Sequence, residues 1–550
     1  MLLQRIGNSG IRLGTLFDRA AARYPTNVLL LDHDLDIAPD RGRSLTMTDV
    51  ADLVSDFGSR LWRAGARPGD HLVIHKSNAF DITLLAVAAA RIGAVPVLLS
   101  PHLDGETVTA LLRRVDRPYL LTDEAKLTGS LPKEVFPLCR RVLLASGSHR
   151  RATALAELAG APRIPALALP PEHPTLVTHT SGTTGLPKLA VHTAFSLEAR
   201  YRPQALATAL LRRREPVAIH VSFVHSRLFT ALALSLLRGF PVAVLADADP
   251  QRVAPLFARL RPAVLEAHPN TYLSWEQLAS DPRRPLANVK FFSSTFDALH
   301  PRTVSTLIGA SRRRSAKFGQ IYGQSEVGPS VARSYGKRRS PTADGRCVGI
   351  PFPGMTGVRV VSRDGKRPTA SSPGYIEVSS DGRIRTYLGE QERFEQQASA
   401  RWWRMGDLGY RTRWGCLHLL DREVDEIPGF GSTLSVEDRL FSRLAELTEV
   451  VIIETEDGLP LPVVCTKDDR PLDEAAWRAA VADLPRMAPP VQWRQADLPQ
   501  TATTKVKRLE LARLVGAGEE AGTRRAAAPA AGQPPVTVGP AEARSAGGEA

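Results

Sequence analysis

The sequence is poor in cysteine, and its few cysteines are scattered. Cys139, Cys347, Cys416 and Cys465 lie far apart, with no CxxC pair and no Cys/His spacing. This pattern argues against both a disulfide framework and a zinc site. We therefore expect most of the four cysteines to be small core residues.

Long apolar runs are also missing. No stretch approaches the roughly 18 consecutive apolar residues that span a bilayer, and the first five residues lack the apolar segment of a secretory signal. We therefore expect no membrane span and a cytoplasmic location.

Aromatic residues are scarce, at 6% of the chain, whereas the formal net charge is +14. Basic clusters occur at 212–214, 312–314 and 337–339, but they are scattered and do not alternate with stacking aromatic side chains. Solvated helix faces or a general attraction for anions explain this charge better than nucleic-acid binding. We expect no nucleic-acid partner.

The chain has 550 residues, 43% of them hydrophobic, which is enough to bury more than one core. Apolar side chains three and four positions apart predict helices over 11–24, 48–64 and 84–93, the last one stopped by Gly93. A buried strand is predicted at 69–75. Helices and strands that alternate in this way predict an α/β fold with mostly parallel sheets.

A loop of glycines and hydroxyl residues at 180–188 is the feature around which the chain is organised. It follows a predicted strand at 174–179, and its glycines let backbone N–H groups approach a ligand closely. It is not a Walker A sequence, and a plain hairpin turn is the alternative. The residues assigned to polyphosphate binding are Thr180, Ser181, Gly182, Thr183, Thr184, Gly185 and Lys188.

The run Ser-Gly-Thr-Thr-Gly-Leu-Pro-Lys at 181–188 resembles the signature loop of the AMP-forming adenylate ligases. That family includes acyl-CoA synthetases, luciferases and peptide-synthetase adenylation domains. The resemblance covers roughly residues 10–510, although Leu189 stands where a Gly is usual. It implies that the loop grips the β- and γ-phosphates of ATP while a carboxylate attacks the α-phosphate.

The segment 321–326 resembles the family's Tyr-Gly-x-Thr-Glu sequence. The resemblance implies that Tyr322 stacks on adenine, that the Ser325 hydroxyl bonds the α-phosphate and that the Glu326 carboxylate holds Mg²⁺. Ser325 keeps the hydroxyl of the usual Thr. Ser325 and Glu326 are therefore assigned to catalysis, with Glu326 as the metal ligand.

Two later segments complete the implied nucleotide site. Asp407 lies in a run that resembles Trp-x-Arg-Thr-Gly-Asp, and its carboxylate is expected to accept hydrogen bonds from both ribose hydroxyls. Arg422, at the implied hinge between two domains, is the expected ribose or phosphate contact. Val424 and Pro428 depart from the family pattern at the hinge and at the glycine loop that approaches the thiol donor.

The run 498–508 is similar to the family's Leu-Pro-x-Thr-x-x-Gly-Lys-x-x-Arg segment, with Thr504 in place of Gly. The resemblance implies that Lys505 bridges the substrate carboxylate and the α-phosphate. A cation there offsets the repulsion of two anions pushed together. Lys507 is the competing lysine.

The acid pocket is assigned to His225, Ser294, Phe296 and Gly323. Amino-acid-activating members carry an Asp that pairs with the substrate ammonium group, but this chain has Val224 at that position. An aryl or medium-length acyl acid is therefore expected rather than an amino acid. Phe296 either shortens the pocket or faces the core.

The resemblance as a whole predicts an ATP- and Mg²⁺-dependent enzyme that joins a small-molecule carboxylic acid to a thiol through an acyl-adenylate. CoA is the leading acceptor; the phosphopantetheine of an acyl or peptidyl carrier protein is the alternative, and a non-catalytic nucleotide-binding homologue is a third possibility. The predicted architecture is a large multi-layered α/β domain over 1–421, a small mobile α+β domain over 422–514 and a disordered tail over 515–550.

Overall fold

The computed structural model describes residues 11–180, 186–208, 214–295, 300–338, 344, 346–455, 458–500 and 506–520. Two large sheets and one small sheet contain its strands. The strands are β1 Val28–Leu31, β2 Ser44–Thr46, β3 His71–Ile74, β4 Val95–Leu98, β5 Tyr119–Thr122, β6 Arg141–Leu144, β7 Thr153–Ala154, β8 Pro174–His179, β9 Leu189–Thr193, β10 Val217–His220, β11 Val242–Val244, β12 Val264–Ala267, β13 Phe291–Ser294, β14 Lys317–Gln324, β15 Gly328–Gly336, β16 Cys347–Pro351, β17 Thr356–Val361, β18 Gly374–Ser380, β19 Thr386–Tyr387, β20 Ala398–Ser399, β21 Trp402–Arg411, β22 Leu417–Arg422, β23 Leu447–Glu454, β24 Pro460–Thr466 and β25 Val491–Gln492.

The largest sheet has the strand order β17-β18-β21-β22-β16-β15-β14-β13-β12-β10-β11-β1-β2, with β20 paired to β21. The second sheet has the order β19-β9-β8-β4-β3-β5-β6-β7, and β23, β24 and β25 form the third. All pairs from β14 to β1 in the first sheet are parallel. All pairs from β8 to β7 in the second are parallel too. The predicted α/β fold class is therefore confirmed.

Helices cover these sheets. The α-helices are α1 Leu16–Arg23, α2 Met47–Arg63, α3 Asp81–Arg91, α4 Gly105–Arg114, α5 Glu124–Gly129, α6 Val135–Leu138, α7 Ala194–Ala207, α8 Ser226–Leu236, α9 Pro250–Leu260, α10 Pro269–Ser274, α11 Pro301–Ala310, α12 Gln391–Glu395, α13 Thr433–Arg443, α14 Glu474–Val481 and α15 Arg508–Glu520.

Helix α3 lies in the middle of the largest apolar core. Every one of its residues is buried, which suits a helix that is apolar on nearly all sides. Gly93 follows its end with φ +79°, a backbone conformation that glycine adopts without a steric penalty. The predicted stop at Gly93 is confirmed.

Parallel pairing brings the functional segments to one edge. The carboxyl ends of β10, β12, β13 and β14 point the same way, because these strands are parallel neighbours. The segments that follow them therefore lie side by side. Ligands of α/β proteins bind at this kind of edge.

The C-terminal part buries apolar clusters on both faces of its own three-stranded sheet. Val450 and Ile452 of β23 face one cluster, and Val451 and Ile453 face the other, as expected from side chains that alternate along a strand. This unit of mixed helix and strand confirms a smaller C-terminal domain. Its boundary at 421/422 and its mobility stay predictions. The disordered tail was predicted to begin at residue 515, but helix α15 continues to Glu520 and buries Val515, so the prediction is wrong for 515–520. The rest of the predicted tail, 521–550, lies outside the described residues.

Across the described ranges, no helix combines the length and the apolar content that crossing a membrane requires.

Candidate active site

A cavity of about 420 Å³ opens at this edge of the largest sheet. It is bounded by the end of β8, the start of α8, the turn between β14 and β15, and the middle of β21. Eight of the predicted residues line it: Thr180, Lys188, His225, Gly323, Ser325, Glu326, Asp407 and, from the implied hinge, Arg422. The structure thus brings together segments up to about 240 positions apart in the chain.

The phosphate loop is closed at its base. The Thr180 N–H donates to the Lys188 carbonyl at 2.9 Å, and the Lys188 N–H donates to the Thr180 hydroxyl at 3.3 Å. The loop leaves β8, as predicted. The predicted phosphate ligands Ser181, Gly182, Thr183, Thr184 and Gly185 lie outside the described residues.

Lys188 and Glu326 face each other across the cavity with a tyrosine between them. Lys188 Nζ lies 3.9 Å from Glu326 Oε1 and donates to Tyr387 Oη at 3.2 Å. Tyr387 Oη in turn donates to Glu326 Oε1 at 2.6 Å. Burial lowers the pKa of Lys188, and the nearby Glu326 carboxylate partly offsets this shift. Sequence reasoning missed Tyr387, because no pattern in one sequence marks it.

Glu326 has the surroundings of a ligand to a hard cation. The described residues contain no cluster of three or more side chains of the metal-binding types. Mg²⁺ in nucleotide enzymes is commonly held by one or two carboxylates together with substrate phosphates. A single carboxylate opposite the phosphate-loop lysine fits that arrangement.

Asp407 and Arg422, which line this cavity, form a polar group with Tyr322, which lines an adjoining cavity. Tyr322 Oη donates to Asp407 Oδ2 at 2.6 Å, and Arg422 Nε lies 3.8 Å from Asp407 Oδ1. Asp407 and Arg422 are register partners on β21 and β22. Burial, followed by the Asp407 charge, raises the pKa of Tyr322 well above its usual value, so its hydroxyl stays a donor. The three predicted residues form one polar group.

The turn after β14 needs glycine. The pairing register of β14 and β15 shifts at Tyr322/Gly323, and a Cβ on Gly323 would lie 2.0 Å from the Gly328 carbonyl oxygen. The bulge turns Ser325 toward His225, with 3.4 Å between the Ser325 hydroxyl and His225 Nε2. Gly323 therefore shapes the cavity through its backbone.

His225 caps the start of α8, where its Nδ1 accepts from the Arg227 N–H at 3.1 Å. Burial, and then the proximity of His268, hold the pKa of His225 well below its usual value. The ring is therefore neutral near pH 7. Val224 also lines the cavity. It occupies the position at which amino-acid-activating members carry the Asp that pairs with the substrate ammonium group.

The strand β13 places its last residue differently from the prediction. Ser294 is fully buried and lies outside the lining, whereas Thr295 lines the cavity. This is a phase difference of one residue, which reverses the face on which a side chain stands. The predicted pocket residue Phe296 lies outside the described residues.

Lys505 also lies outside the described residues, but its neighbours are placed. Gln500 and Val506, on either side of the segment that contains Lys505, form an antiparallel β-bridge. Val506 lines a second cavity, of about 330 Å³, that shares Gly323, Asp407 and Arg422 with the first. The competing lysine, Lys507, pairs with Glu510 at 2.9 Å.

Comparison with known proteins agrees with this geometry. The model of the AMP-binding enzyme family matches residues 17–388. The chain is 47% identical over 539 residues to the 3-amino-2-hydroxy-4-methoxybenzoate diazotase of Streptomyces cremeus, covering 94% of this chain and 97% of that protein. It is 25% identical over 505 residues to a benzoate–CoA ligase of Thauera aromatica, covering 86% and 91%.

The fold has solved counterparts as well. The anthranilate CoA ligase AuaEII, in complex with anthranoyl-AMP, superposes with a TM-score of 0.78 at 18% identity, over 93% of this chain and 98% of that one. The sequence resemblance is thereby confirmed. The chain belongs to the family of AMP-binding enzymes and is an AMP-forming ligase.

Proposed function

We propose that the chain uses ATP to convert an aryl amine that carries a carboxylate into its diazo derivative, with nitrite as the source of the second nitrogen. One observation carries this proposal: the 47% identity to a diazotase of an aminohydroxybenzoate, which extends over 94% of the chain. Nitrite, like a carboxylate, is an oxyanion that can attack the α-phosphorus of ATP. A site that adenylates a carboxylate therefore has the chemistry needed to adenylate nitrite.

The reaction balances without an oxidant. A nitrite oxygen attacks the α-phosphorus, pyrophosphate leaves, and nitrosyl-AMP forms. The aryl amine then attacks the nitrosyl nitrogen, AMP leaves with that oxygen, and the amine loses a proton to give the N-nitrosamine. This species tautomerises to the diazohydroxide, which takes up a proton and loses its remaining oxygen as water. Its nitrogen–nitrogen bond becomes that of the diazonium group.

The charged residues of the cavity have roles in the first step. Lys188 neutralises the departing pyrophosphate, and Glu326 would hold Mg²⁺ on the same phosphates. Asp407 accepts from the ribose hydroxyls, and Arg422 contacts the ribose or the phosphate. Lys505 would stand between the attacking oxyanion and the α-phosphate. Most of the rate enhancement then comes from positioning and neutralisation of charge.

The substrate pocket supports an aryl amine over an α-amino acid. An aryl amine is uncharged near neutral pH, so it needs no carboxylate partner. Val224, in the cavity wall, supplies an apolar side chain at the position of that carboxylate in amino-acid-activating members. His225, kept neutral by burial, offers an imidazole nitrogen that can accept a hydrogen bond from the amine.

A second candidate is transfer of the aryl carboxylate itself to CoA, as first predicted from the sequence. The 25% identity to a benzoate–CoA ligase over 86% of the chain favours it. The two reactions differ in the oxyanion that is adenylated and in the nucleophile of the second step. An assay of pyrophosphate release with and without nitrite and CoA separates the two reactions.

The test measures pyrophosphate release from Mg²⁺-ATP with a panel of aminohydroxybenzoates, with nitrite, with CoA and with each omitted. We expect release that requires nitrite, together with a diazonium product that couples to a naphthol to give an azo dye. ¹⁵N-nitrite should label the terminal nitrogen. The Lys505→Ala variant should lose release but still bind ATP, whereas Lys507→Ala is the matched control. Pyrophosphate release that does not need nitrite, with formation of a CoA thioester, would instead establish an aryl–CoA ligase. A parallel assay with a phosphopantetheinylated carrier protein in place of CoA tests whether the acyl group is transferred to that protein.

A further inference from the structure

Two buried arginines, Arg200 and Arg227, lie in the cavity wall. Neither is among the residues assigned to nucleotide binding. Arg200, in α7, is 3% exposed, and all three of its observed partners are neutral. Its guanidinium donates to the Gly382 carbonyl at 2.7 Å, to the Ser226 hydroxyl at 3.1 Å and to the Ser325 carbonyl at 2.8 Å.

Arg200 differs from the other basic residues of this cavity. Each of those has a carboxylate within 4.0 Å, in the pairs Lys188–Glu326, Arg227–Glu266, Arg393–Glu390, Arg404–Glu423 and Arg422–Asp407. Arg200 has no such pair in the described part of the chain, and burial lowers its pKa to about 9. The Glu326 charge offsets part of this shift from beyond 4.0 Å. A buried cation whose charge is only partly balanced is costly unless an anion joins it.

Arg227 contributes an unused donor. Its Nε and Nη2 donate to the two carboxylate oxygens of Glu266, which fixes the plane of the guanidinium. Its Nη1 is buried and has no hydrogen-bond partner among the residues that the structure describes. The side chain is 8% exposed and lines the cavity. Buried donors without partners are rare, and one in a cavity wall indicates a ligand.

Arg200 and Arg227 meet at the start of α8, and Thr295 lines the same cavity. Ser226, which accepts from Arg200, directly precedes Arg227 at the start of α8. The Thr295 hydroxyl lines the same cavity and is buried with no partner in the described ranges. The amino end of an 11-residue helix adds a partial positive charge. The combination provides donors and positive charge, which suits a planar oxyanion.

We propose that Arg227, with Arg200 and Thr295 beside it, binds the carboxylate of the aryl amine, a group that the diazotisation leaves unactivated. This inference rests on the proposed function. Arg227 is anchored by Glu266 on β12, two strands from β14, which carries Tyr322 and leads into Ser325. The backbones of β12 and β14 are therefore roughly 10 Å apart. Arg200, which donates to the Ser325 carbonyl, lies at the end of this site that is nearer the α-phosphate, and Arg227, held by Glu266, lies toward β12. A benzene ring whose carboxylate is held by Arg227 leaves its amine free to reach nitrosyl-AMP.

The test compares the binding of 3-amino-2-hydroxybenzoate with that of its carboxamide, by calorimetry on the full-length enzyme. The native protein should bind the carboxylate at least about tenfold more tightly. The double variant R227M/E266Q removes both members of the ion pair, so no buried charge is stranded. It should bind the carboxylate about 10- to 100-fold more weakly, lose the preference over the amide and keep its affinity for ATP. K76M/D81N is the control: it removes a buried ion pair away from the cavity, and the second partner of Lys76, Asp36, is 41% exposed and remains solvated.

Arg227→Lys gives a second route if the double variant does not fold. It keeps a positive charge beside Glu266 but loses the fork that provides Nη1, so the preference for the carboxylate should again fall. Nitrite is the other planar oxyanion in the reaction. A variant that raises the KM for nitrite and leaves aryl affinity unchanged would overturn the proposal, as would equal binding of acid and amide by the native enzyme. If native enzyme yields no diazonium product but its binding of the acid still depends on Arg227, the diazotase assignment fails and the carboxylate site stands.

Discussion

Replacing Tyr387 with phenylalanine tests how the phosphate-loop lysine is coupled to the predicted metal ligand. The tyrosine hydroxyl accepts from Lys188 at 3.2 Å and donates to Glu326 at 2.6 Å, and the residue is 1% exposed. Its ring packs against Phe394 and Trp403, at centroid distances of 6.0 and 6.2 Å. Phenylalanine keeps that packing, so the substitution removes one oxygen and two hydrogen bonds.

The expected loss follows from the charges at both ends of this bridge. A hydrogen bond to a charged group contributes about 1.5–3 kcal/mol. The two losses do not add fully, because Lys188 and Glu326, already 3.9 Å apart, can move into direct contact. We expect a net loss of about 2 kcal/mol in transition-state stabilisation, which is a roughly 30-fold fall in kcat/KM for ATP.

The assay is steady-state pyrophosphate release as a function of ATP concentration. Tyr335→Phe is the matched control, because it also removes a buried hydroxyl, one that donates to the Asp344 carbonyl at 2.9 Å and lies outside both cavities. Thermal unfolding of both variants separates loss of stability from loss of function. If Tyr387→Phe has the same kcat/KM for ATP as Tyr335→Phe, the bridge does not organise the site and the reasoning is refuted.

Three further predictions concern the same cavity. Asp407→Asn should raise the KM for ATP about tenfold, because it weakens the acceptor for the ribose hydroxyls, and an unchanged KM would contradict that role. Glu326→Gln should raise the Mg²⁺ concentration needed for half-maximal pyrophosphate release, and chelation of Mg²⁺ should abolish release in the native enzyme. Burial lowers the pKa of Lys188 and lowers that of Arg200 to about 9. Arg200 must be protonated to bind an anion, so kcat/KM should fall as pH rises above about 9, and deprotonation of Lys188 at alkaline pH should add to the fall. A profile flat to higher pH would count against this.

Local segments of the site could be read from the sequence, because their chemistry lies in consecutive residues. The phosphate loop after β8 and the turn at Gly323 carry glycines and hydroxyls whose backbone requirements are visible in the sequence itself. The helix stop at Gly93 is of the same kind. These predictions needed no knowledge of distant contacts.

The remaining site residues arise from long-range packing. Tyr387 reaches Glu326 because β19 pairs with β9, the strand that follows the phosphate loop. Arg200 meets Ser325 across 125 positions of sequence. A tyrosine and an arginine in these segments have no spacing that marks them, so only the sheet order reveals them. The assignment of Ser294 rather than Thr295 to the pocket is a different kind of error. When a strand is placed one residue out of phase, each side chain is assigned to the wrong face of the sheet.

The pattern of departures from the family sequence bears on which nucleophile completes the reaction. Val424, 57% exposed at the implied hinge, and Pro428, in the implied glycine loop, both fall in segments that the resemblance assigns to delivery of a thiol. The residues assigned to adenylation keep their chemistry, from Lys188 to Asp407. An amine that is part of the bound aryl substrate needs no separate channel and no thiol-directed loop. We therefore expect an enzyme whose nucleophile is the amine of its own substrate to keep the adenylation residues. Such an enzyme can depart from the family pattern at the hinge and the glycine loop, as this chain does. Pro428→Lys introduces the residue that is frequent at this position in the family that the sequence resembles. It should create no CoA-dependent activity, and a CoA thioester formed by that variant would show that the acceptor is set by this loop.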